Sequence, residues 1–493
     1  MRISTFLGSA VLCTMPIVAA NAAPAAIPGV KNIIVLINDG GGYTVYDALR
    51  LYKGKPLVTD GAGFHRISIS TYPLRIDSTT PGSLAQDPAI VYSSAKFWDT
   101  TPVAGNSVIT GYSAYPAGFR GYEYSRLAHP DSGNTATSLA TGVKSYNNAI
   151  NVNGAGDVQI TITDLIDQAR AVGKGTGVVS TVQFADATPA ALGGAHNIAR
   201  SNGNAIAAEM FSSGKLDVIG GTGNPDYDDN GVLRAIPNYQ WVSAPLWADL
   251  KNRTNTTGLN TQKWKLLQNR SDIDALAAGT ARPPKKLAMI ARSFASTQYN
   301  RASLTPPTSQ QPFVTDAPKT DVPSQRSLTL AALNTLGKNP RGFYLMTEAG
   351  AVDRAEHGNS TGRMIEELND SNDTVQAIID WVNRADTAAT WDDTLLIVTA
   401  DHDHLLYGPD AATVPFQPLV DKGAGNVPGN RWFGPNHGTG LVPFYAYGKG
   451  AVEITALATD NDSFTGSDGT TRGYGPYTDQ TVIGQVLKLT VAQ

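Results

Sequence analysis

The chain has 493 residues and almost no cysteine: Cys13 is the only one. It lies in the first apolar stretch, so disulfides cannot hold the rest together, and stability must come from a buried core. Clustered positive charge is missing as well. Lysine and arginine number 38 against 42 aspartate and glutamate, and no basic block occurs. That excludes nucleic acid as a dedicated partner. A helix crossing a bilayer needs about 20 consecutive apolar residues. The one early candidate, "FLGSAVLCTMPIVAA" from Phe6 to Ala20, is shorter, follows Arg2 and precedes the small residues of Ala20–Asn21–Ala22. It reads as a secretory signal over residues 1–22, cleaved near Ala22, and not as an anchor. A lipid attached at Cys13 does not fit, because Leu12 precedes it and the apolar run continues past it. The expected product is an exported bacterial protein, periplasmic or secreted, with no membrane segment after cleavage.

What is present is globular in character: 41% hydrophobic and 16% charged residues, enough for a sizeable core. "NIIVLINDGGG" (Asn32 to Gly42) is a buried-strand pattern that closes on Asp39 and glycines. "TITDLIDQARAVGK" reads as a helix, with Thr163 as its cap and Leu165, Ile166, Ala169 and Val172 on one face. "GTGVVSTVQF" (Gly175 to Phe184) is the next strand. The alternation recurs at "PSQRSLTLAALNTLGKNPRGFYLMTEAG" and "DTVQAIIDWVNRADTAATWDDTLLIVTADH". The pattern predicts an α/β three-layer sandwich: a large, mostly parallel central sheet with helices on both faces and ligands at the carboxyl ends of the strands. Polar, Pro/Gly/Asn-rich stretches at about 52–129 and 202–320 read as insertions over the active-site side of a single domain spanning 23–493.

The residues that carry chemistry sit at the strand ends. In "GAVDRAEHGNS", Asp353 and His357 are four apart and share a helix face, a spacing that suits one metal ion and equally a surface ion pair. Glu348 ends the strand before them. "DTLLIVTADHDH" places Asp401, His402 and His404 after a buried strand, where three ionisable groups are poor core filling. His437 lies in a Gly-rich loop before another apolar strand. "HPDSGNTATSLATGVKSYN" puts Ser132 ahead of a run of small residues, as a helix cap or as a nucleophile held at a helix start. Asp226, Asp228 and Asn230 in "DYDDNG" alternate like the start of a Ca²⁺ loop, although Pro237 stands where a closing Glu belongs.

Taken together, "DSGNTATSLATGVKSYNNAI", "DATPAALGGAHNIAR", "GFYLMTEAGAVDRAEH", "IVTADHDH" and the His437 loop resemble the alkaline phosphatase family, from about Asn32 to Gly448. The resemblance implies metal-dependent hydrolysis of small phosphate monoesters through a phosphoserine, with an alkaline optimum. Ser132 would be the nucleophile and Arg200 would grip the phosphate. Asp353, His357 and His437 would hold one Zn²⁺, and Asp39, Asp401 and His402 a second. Asp39, Thr188 and Glu348 would hold Mg²⁺. His404 would orient Asp353, and Asp186 would bond the waters on Mg²⁺. The donor types agree independently: His with carboxylate suits catalytic Zn²⁺, and oxygen alone suits Mg²⁺. Asp131 is a good helix cap and leaves Ser132 free for chemistry. The chain departs from the family at Asn38 and Gly41, where Gly and Met are usual, and at Arg354, often Lys, His or Trp there, for which an ion pair with Asp186 is expected.

A phosphodiesterase of the same superfamily is the nearest alternative, while "DSGNT" lacks the context a sulfatase needs. From a different class, a non-catalytic exported metal- or phosphate-binding protein is the other alternative; the presence of both Ser132 and Arg200 argues against it, because pure metal storage needs neither. Monomer and homodimer both remain open.

Overall fold

The structure is a computed structural model, and it describes residues 24–75, 79–157, 164–301 and 318–493. The expected secretory signal, Cys13 and Thr163 lie outside the described residues. The strands are β1 (Asn32–Asn38), β2 (His65–Ser70), β3 (Gly175–Gln183), β4 (Val218–Thr222), β5 (Lys265–Leu267), β6 (Leu287–Ile290), β7 (Phe343–Ala349), β8 (Thr394–Thr399), β9 (Asp403–Tyr407), β10 (Arg431–Gly438), β11 (Val442–Gly448), β12 (Asp460–Thr465) and β13 (Thr471–Asp479). Eleven form one sheet, in the order β12-β13-β2-β11-β8-β1-β7-β3-β4-β6-β5, while β9 and β10 form a separate ribbon. Every neighbouring pair from β8 to β5 is parallel. The antiparallel pairs, β8-β11, β11-β2 and β13-β12, lie toward the other edge.

β1 runs between β7 and β8 and is buried at all seven positions, which is why its sequence shows no polar alternation. Its side chains still divide by parity. Ile33, Val35 and Ile37 enter one core with Ala136, Leu139 and Ala140 of the helix Ser132–Thr141 and Ile483, Val486 and Leu487 of the helix Gln480–Val491. Ile34 and Leu36 enter the other, against Val45 and Leu49 of the helix Tyr43–Lys53 and Leu368 and Val375 of the helix Thr361–Val382. The result is the expected helix–sheet–helix sandwich, each buried aliphatic contributing about 1.5–3 kcal/mol.

All ten residues of Ser132–Thr141 are buried. Small side chains make that feasible: a Cβ on Gly484 would come within 2.4 Å of the Ser138 carbonyl oxygen, so the two helices touch nearly backbone to backbone. An aromatic core of Phe97, Trp98, Tyr122, Tyr407, Phe416 and Phe433 fastens the 92–122 stretch to the ribbon.

Some sequence expectations need correction. The helix from "TITDLIDQARAVGK" begins at Leu165 and is capped by Asp164, whose carboxylate accepts from Asp167 N at 2.8 Å. The stretches read as insertions also enter the sheet: 52–129 supplies β2, and 202–320 supplies β4, β6 and the edge strand β5. These last three are only five, four and three residues long, too short for their periodicity to stand out from polar surroundings.

Candidate active site

Ser132 is the first residue of its helix, and Asp131 caps it. The Asp131 carboxylate accepts from Asn134 N at 2.9 Å, and the Asn134 side chain accepts from Asp131 N at 2.8 Å. The Ser132 hydroxyl is therefore spared capping, and its Oγ lies 3.3 Å from His402 Nε2. The peptide dipoles of the helix add roughly half a positive charge there.

The strands deliver the rest. Asp39 follows β1, Asp401 and His402 follow β8, Glu348 is near the end of β7, and Thr188 is on the helix Ala187–Leu192 after β3. Asp353 and His357 lie one turn apart on the helix Ala351–His357. His437 is not in a loop, as its glycine neighbours suggested. It lies in β10, directly opposite His404 of β9. The pairing explains the correction: β9 and β10 each supply the other's backbone partners, so neither needs a place in the main sheet.

Around Asp353 three imidazoles converge. Its Oδ1 is 2.9 Å from His404 Nε2, 3.2 Å from His437 Nε2 and 3.3 Å from His357 Nε2. His357 Nδ1 donates to the Pro435 carbonyl at 2.6 Å, and His437 Nδ1 to the Pro130 carbonyl at 2.7 Å. A carbonyl can only accept, so each Nδ1 carries its proton, and each Nε2 presents a lone pair whenever its ring is neutral. Burial favours the neutral ring at His437, while Asp353 outweighs burial and raises His357. Those two Nε2 atoms are 3.2 Å apart. Two imidazole nitrogens facing each other so closely, beside a carboxylate, suit a cation shared between them.

A second convergence lies alongside. His402 Nε2 is 3.2 Å from Asp39 Oδ1 and 3.4 Å from Asp401 Oδ2. Asp401 Oδ1 is taken by Gly40 N at 3.1 Å and His402 N at 3.0 Å, which orients the carboxylate and leaves Oδ2 facing the pocket. Asp39 Oδ1 is buried without a hydrogen-bond donor. In two groups the ligand atoms lie within 4.8 Å of one another: Asp353, His357, His404 and His437, and Asp39, Asp353 and His402. Asp353 thus borders both pockets, and Asp401 stands slightly outside the tighter set. At the third expected position, Glu348 accepts from the Ser180 hydroxyl, and the Thr188 hydroxyl is buried with no hydrogen-bond partner. Together with Asp39 this is an all-oxygen donor set, and an unsatisfied buried hydroxyl fits a hard cation.

Electrostatics agree with that fit. Burial, then Asp401, Asp353 and Glu348, push Asp39 well above the usual carboxylate range. Burial pushes Glu348 up to about 8 and Asp401 up to about 6. It also pushes His402 and His437 down to about 4. Asp353 alone goes the other way: burial opposes, but His357, His404 and His437 hold it well below its ordinary value. The cluster is one that divalent charge would relieve.

Arg200 is aimed by two carboxylates: its Nη1 bonds Asp131 at 3.2 Å and its Nη2 bonds Asp186 at 2.8 Å. The expected pair of Arg354 with Asp186 forms at 2.5 Å. Burial would raise Asp186, but Arg200 and Arg354 outweigh it and hold the group down at about 2. A carboxylate so occupied holds two guanidiniums side by side.

Sequence reasoning missed three contributors. Asp131 holds Arg200 as well as capping, Ser180 bonds Glu348, and the fully buried Glu356 lies 3.3 Å from His404 Nε2. Glu356 adjoins His357 in "DRAEH", a usable signal; a serine inside a strand offered none. Asp226, Asp228 and Asn230 form a locally hydrogen-bonded turn, the plainer of the two readings of "DYDDNG". Asp226 Oδ2 is occupied by Lys251 Nζ at 2.9 Å and Trp247 Nε1 at 2.8 Å, and Asp228 Oδ1 by the backbone of Asn230 and Val232. The Lys251 ammonium pairs with Asp226, and the turn is a polar one.

Residues 114–484 match the profile of a family described as alkaline phosphatase. The chain is 28% identical over 279 residues to alkaline phosphatase 3 of Bacillus subtilis, covering 55% of this chain and 48% of that one. It thus spans about half the length of that relative. With the alkaline phosphatase of Escherichia fergusonii it shares 26% identity over 457 residues, 88% of this chain and 84% of the other. In fold it is similar to a cold-active alkaline phosphatase from a psychrophilic Shewanella, with TM-score 0.58, 20% identity, and coverage of 93% and 99% of the two chains.

Proposed function

The chain belongs to the alkaline phosphatase family, and from that premise we propose that it hydrolyses small phosphate monoesters through a phosphoserine, with an alkaline optimum. One observation carries the reading: the Ser132 hydroxyl, at the positive end of a buried helix, stands 3.3 Å from His402 Nε2 beside the carboxylates of Asp39 and Asp401, with Arg200 aimed by Asp131 and Asp186. The residues fit Zn²⁺ at Asp353, His357 and His437, Zn²⁺ at Asp39, Asp401 and His402, and Mg²⁺ at Asp39, Thr188 and Glu348. Such cations supply Lewis acidity and neutralise phosphoryl charge.

The chain's own groups account for the remaining chemistry. Arg200 grips two non-bridging oxygens with its planar fork and fixes the phosphorus in line with Ser132 Oγ. Ser132, ionised, attacks; the Oγ–P bond forms, the P–O bond to the alcohol breaks, and the alcohol leaves with a proton from solvent. Water then attacks phosphorus from the vacated side and releases one proton to solvent, the Oγ–P bond breaks, and hydrogen phosphate departs with Ser132 restored as the ionised oxygen. Asp131 and Asp186 hold the charge and direction of Arg200 through both steps.

Residues 23–493 act as one catalytic unit in this reading, exported after removal of a signal. Among the described residues no helix is long and apolar enough to cross a membrane. The deciding experiment is acid quench of the metal-loaded enzyme with radiolabelled aryl phosphate. Label on Ser132 supports the reading; steady turnover with no label on the protein sinks the covalent route.

A further inference from the structure

The alternation of β1 sends Ile34, Leu36 and Asn38 toward the same helical layer, where Ile34 and Leu36 are fully buried. That face calls for an aliphatic side chain, and Asn38 is polar yet only 2% exposed. Burying an amide costs free energy unless its donors and acceptor are met. Here two helices meet them. Asn38 Nδ2 donates to Tyr46 Oη at 2.6 Å, and Asn38 Oδ1 accepts from the Ser371 hydroxyl. Tyr46 belongs to the helix Tyr43–Lys53 and Ser371 to the helix Thr361–Val382, and both residues are buried. On the main chain, the Asn38 carbonyl accepts from Gly41 N at 2.9 Å, closing the turn that carries Asp39.

We propose that Asn38 is a positioning residue for Asp39: its amide, clamped between Tyr46 and Ser371, locks the end of β1. The carboxylate on the opposite face is thereby held where its Oδ1 is 3.2 Å from His402 Nε2. Asp39 is the one ligand assigned to two cation sites, so an error in its backbone is felt at both. The same clamp accounts for an amide at a position where the family usually carries glycine. The inference rests on the metal reading of Asp39.

The test uses the full-length, metal-loaded enzyme and the variants Asn38→Gly, Ser371→Ala and Asp39→Asn. Metal release into a chelator is followed by stopped flow, alongside kcat and KM for an aryl phosphate. Asn38→Gly is expected to release metal about tenfold faster and to lower kcat by a similar factor, with KM changed by less than about twofold. Added metal should restore part of the loss. Ser371→Ala removes one hydrogen bond of the clamp and should move both readouts the same way by less, so the inference survives a poorly folded Asn38→Gly. Wild-type metal release in both variants, with thermal stability lowered equally in loaded and chelated forms, would mark the network as structural only and overturn the inference. If Asp39→Asn retains its metal and turnover, the metal reading of Asp39 falls and takes the clamp with it.

Discussion

At Ser132 a single oxygen separates two roles that the same residue type often plays at a helix start. Asp131 performs the capping, so removal of the Ser132 hydroxyl should leave the helix intact. Ser132→Ala is expected to keep the melting temperature of the parent within a few degrees and to lower kcat on the order of 10³-fold or more. Circular dichroism and an aryl phosphate assay check both halves, and a large fall in stability would mean that the hydroxyl is structural. Arg200 gives a complementary case. Its fork is directed by Asp131 and Asp186, an arrangement that a lysine ammonium cannot reproduce. Arg200→Lys should reduce kcat/KM by about 10–100-fold and weaken inhibition by inorganic phosphate in parallel. Unchanged phosphate inhibition would remove Arg200 from the binding role. At this scale the sequence was most readable where residue type clashed with position: Asp401, His402 and His404 follow a buried strand, where three ionisable groups are poor core filling. It was least readable where type and position agreed, as with Ser180 in a strand or Asp131 in a cap.

Among the elements, the Asp39–Gly42 turn shows how tightly the site constrains its scaffold. Gly40 has φ of 76°, and a Cβ there would stand 2.0 Å from Glu356 Oε2 and 3.1 Å from His404 Cδ2. The glycine is required twice, by its backbone and by the buried carboxylate packed on it. Gly40→Ala is expected to cost about 2–4 kcal/mol and to disturb His404, hence Asp353. Combining it with Glu356→Ala should return part of that stability, because the worst overlap vanishes and only the φ penalty and the tight contact with His404 remain. Chemical denaturation of the two single variants and the double variant measures the coupling; strictly additive losses would show that Glu356 is not the obstacle. Long, uniformly apolar elements such as β1, β7 and β8 were legible in the sequence, because burial on both faces leaves a continuous signature. The ribbon of β9 and β10 was not. Its residues are chosen for ligands, aromatic packing and tight approach, and Gly434 and Gly438 interrupt any period of two.

Over the whole molecule, the strand order gathers residues from Asp39 to His437 at one sheet end, and the fold carries the cost of that concentration. Asp39, Glu348 and Asp401 are all buried with pKa values raised, Glu348 to about 8 and Asp401 to about 6. A raised folded-state pKa means that the native chain binds protons which the unfolded chain has already released. Their contribution is therefore complete at low pH and is lost as pH rises through the folded values. His402 and His437, lowered to about 4, work in the opposite sense up to the ordinary imidazole value of about 6.5, so in chelated protein the fall in stability is expected between about pH 6.5 and 8. Asp353 is lowered by its imidazoles and works in the opposite sense only in acid, below its ordinary value. With metal bound the dependence reverses, since cations compete with protons for the same oxygens and bind more tightly as those protons leave. The gap in melting temperature between metal-loaded and chelated protein should thus widen steadily from pH 5.5 to 8.5. Differential scanning calorimetry across that range, with and without chelator, decides it. A gap independent of pH would mean that these carboxylates are not where the metals bind, and that the convergence of strand ends serves packing alone.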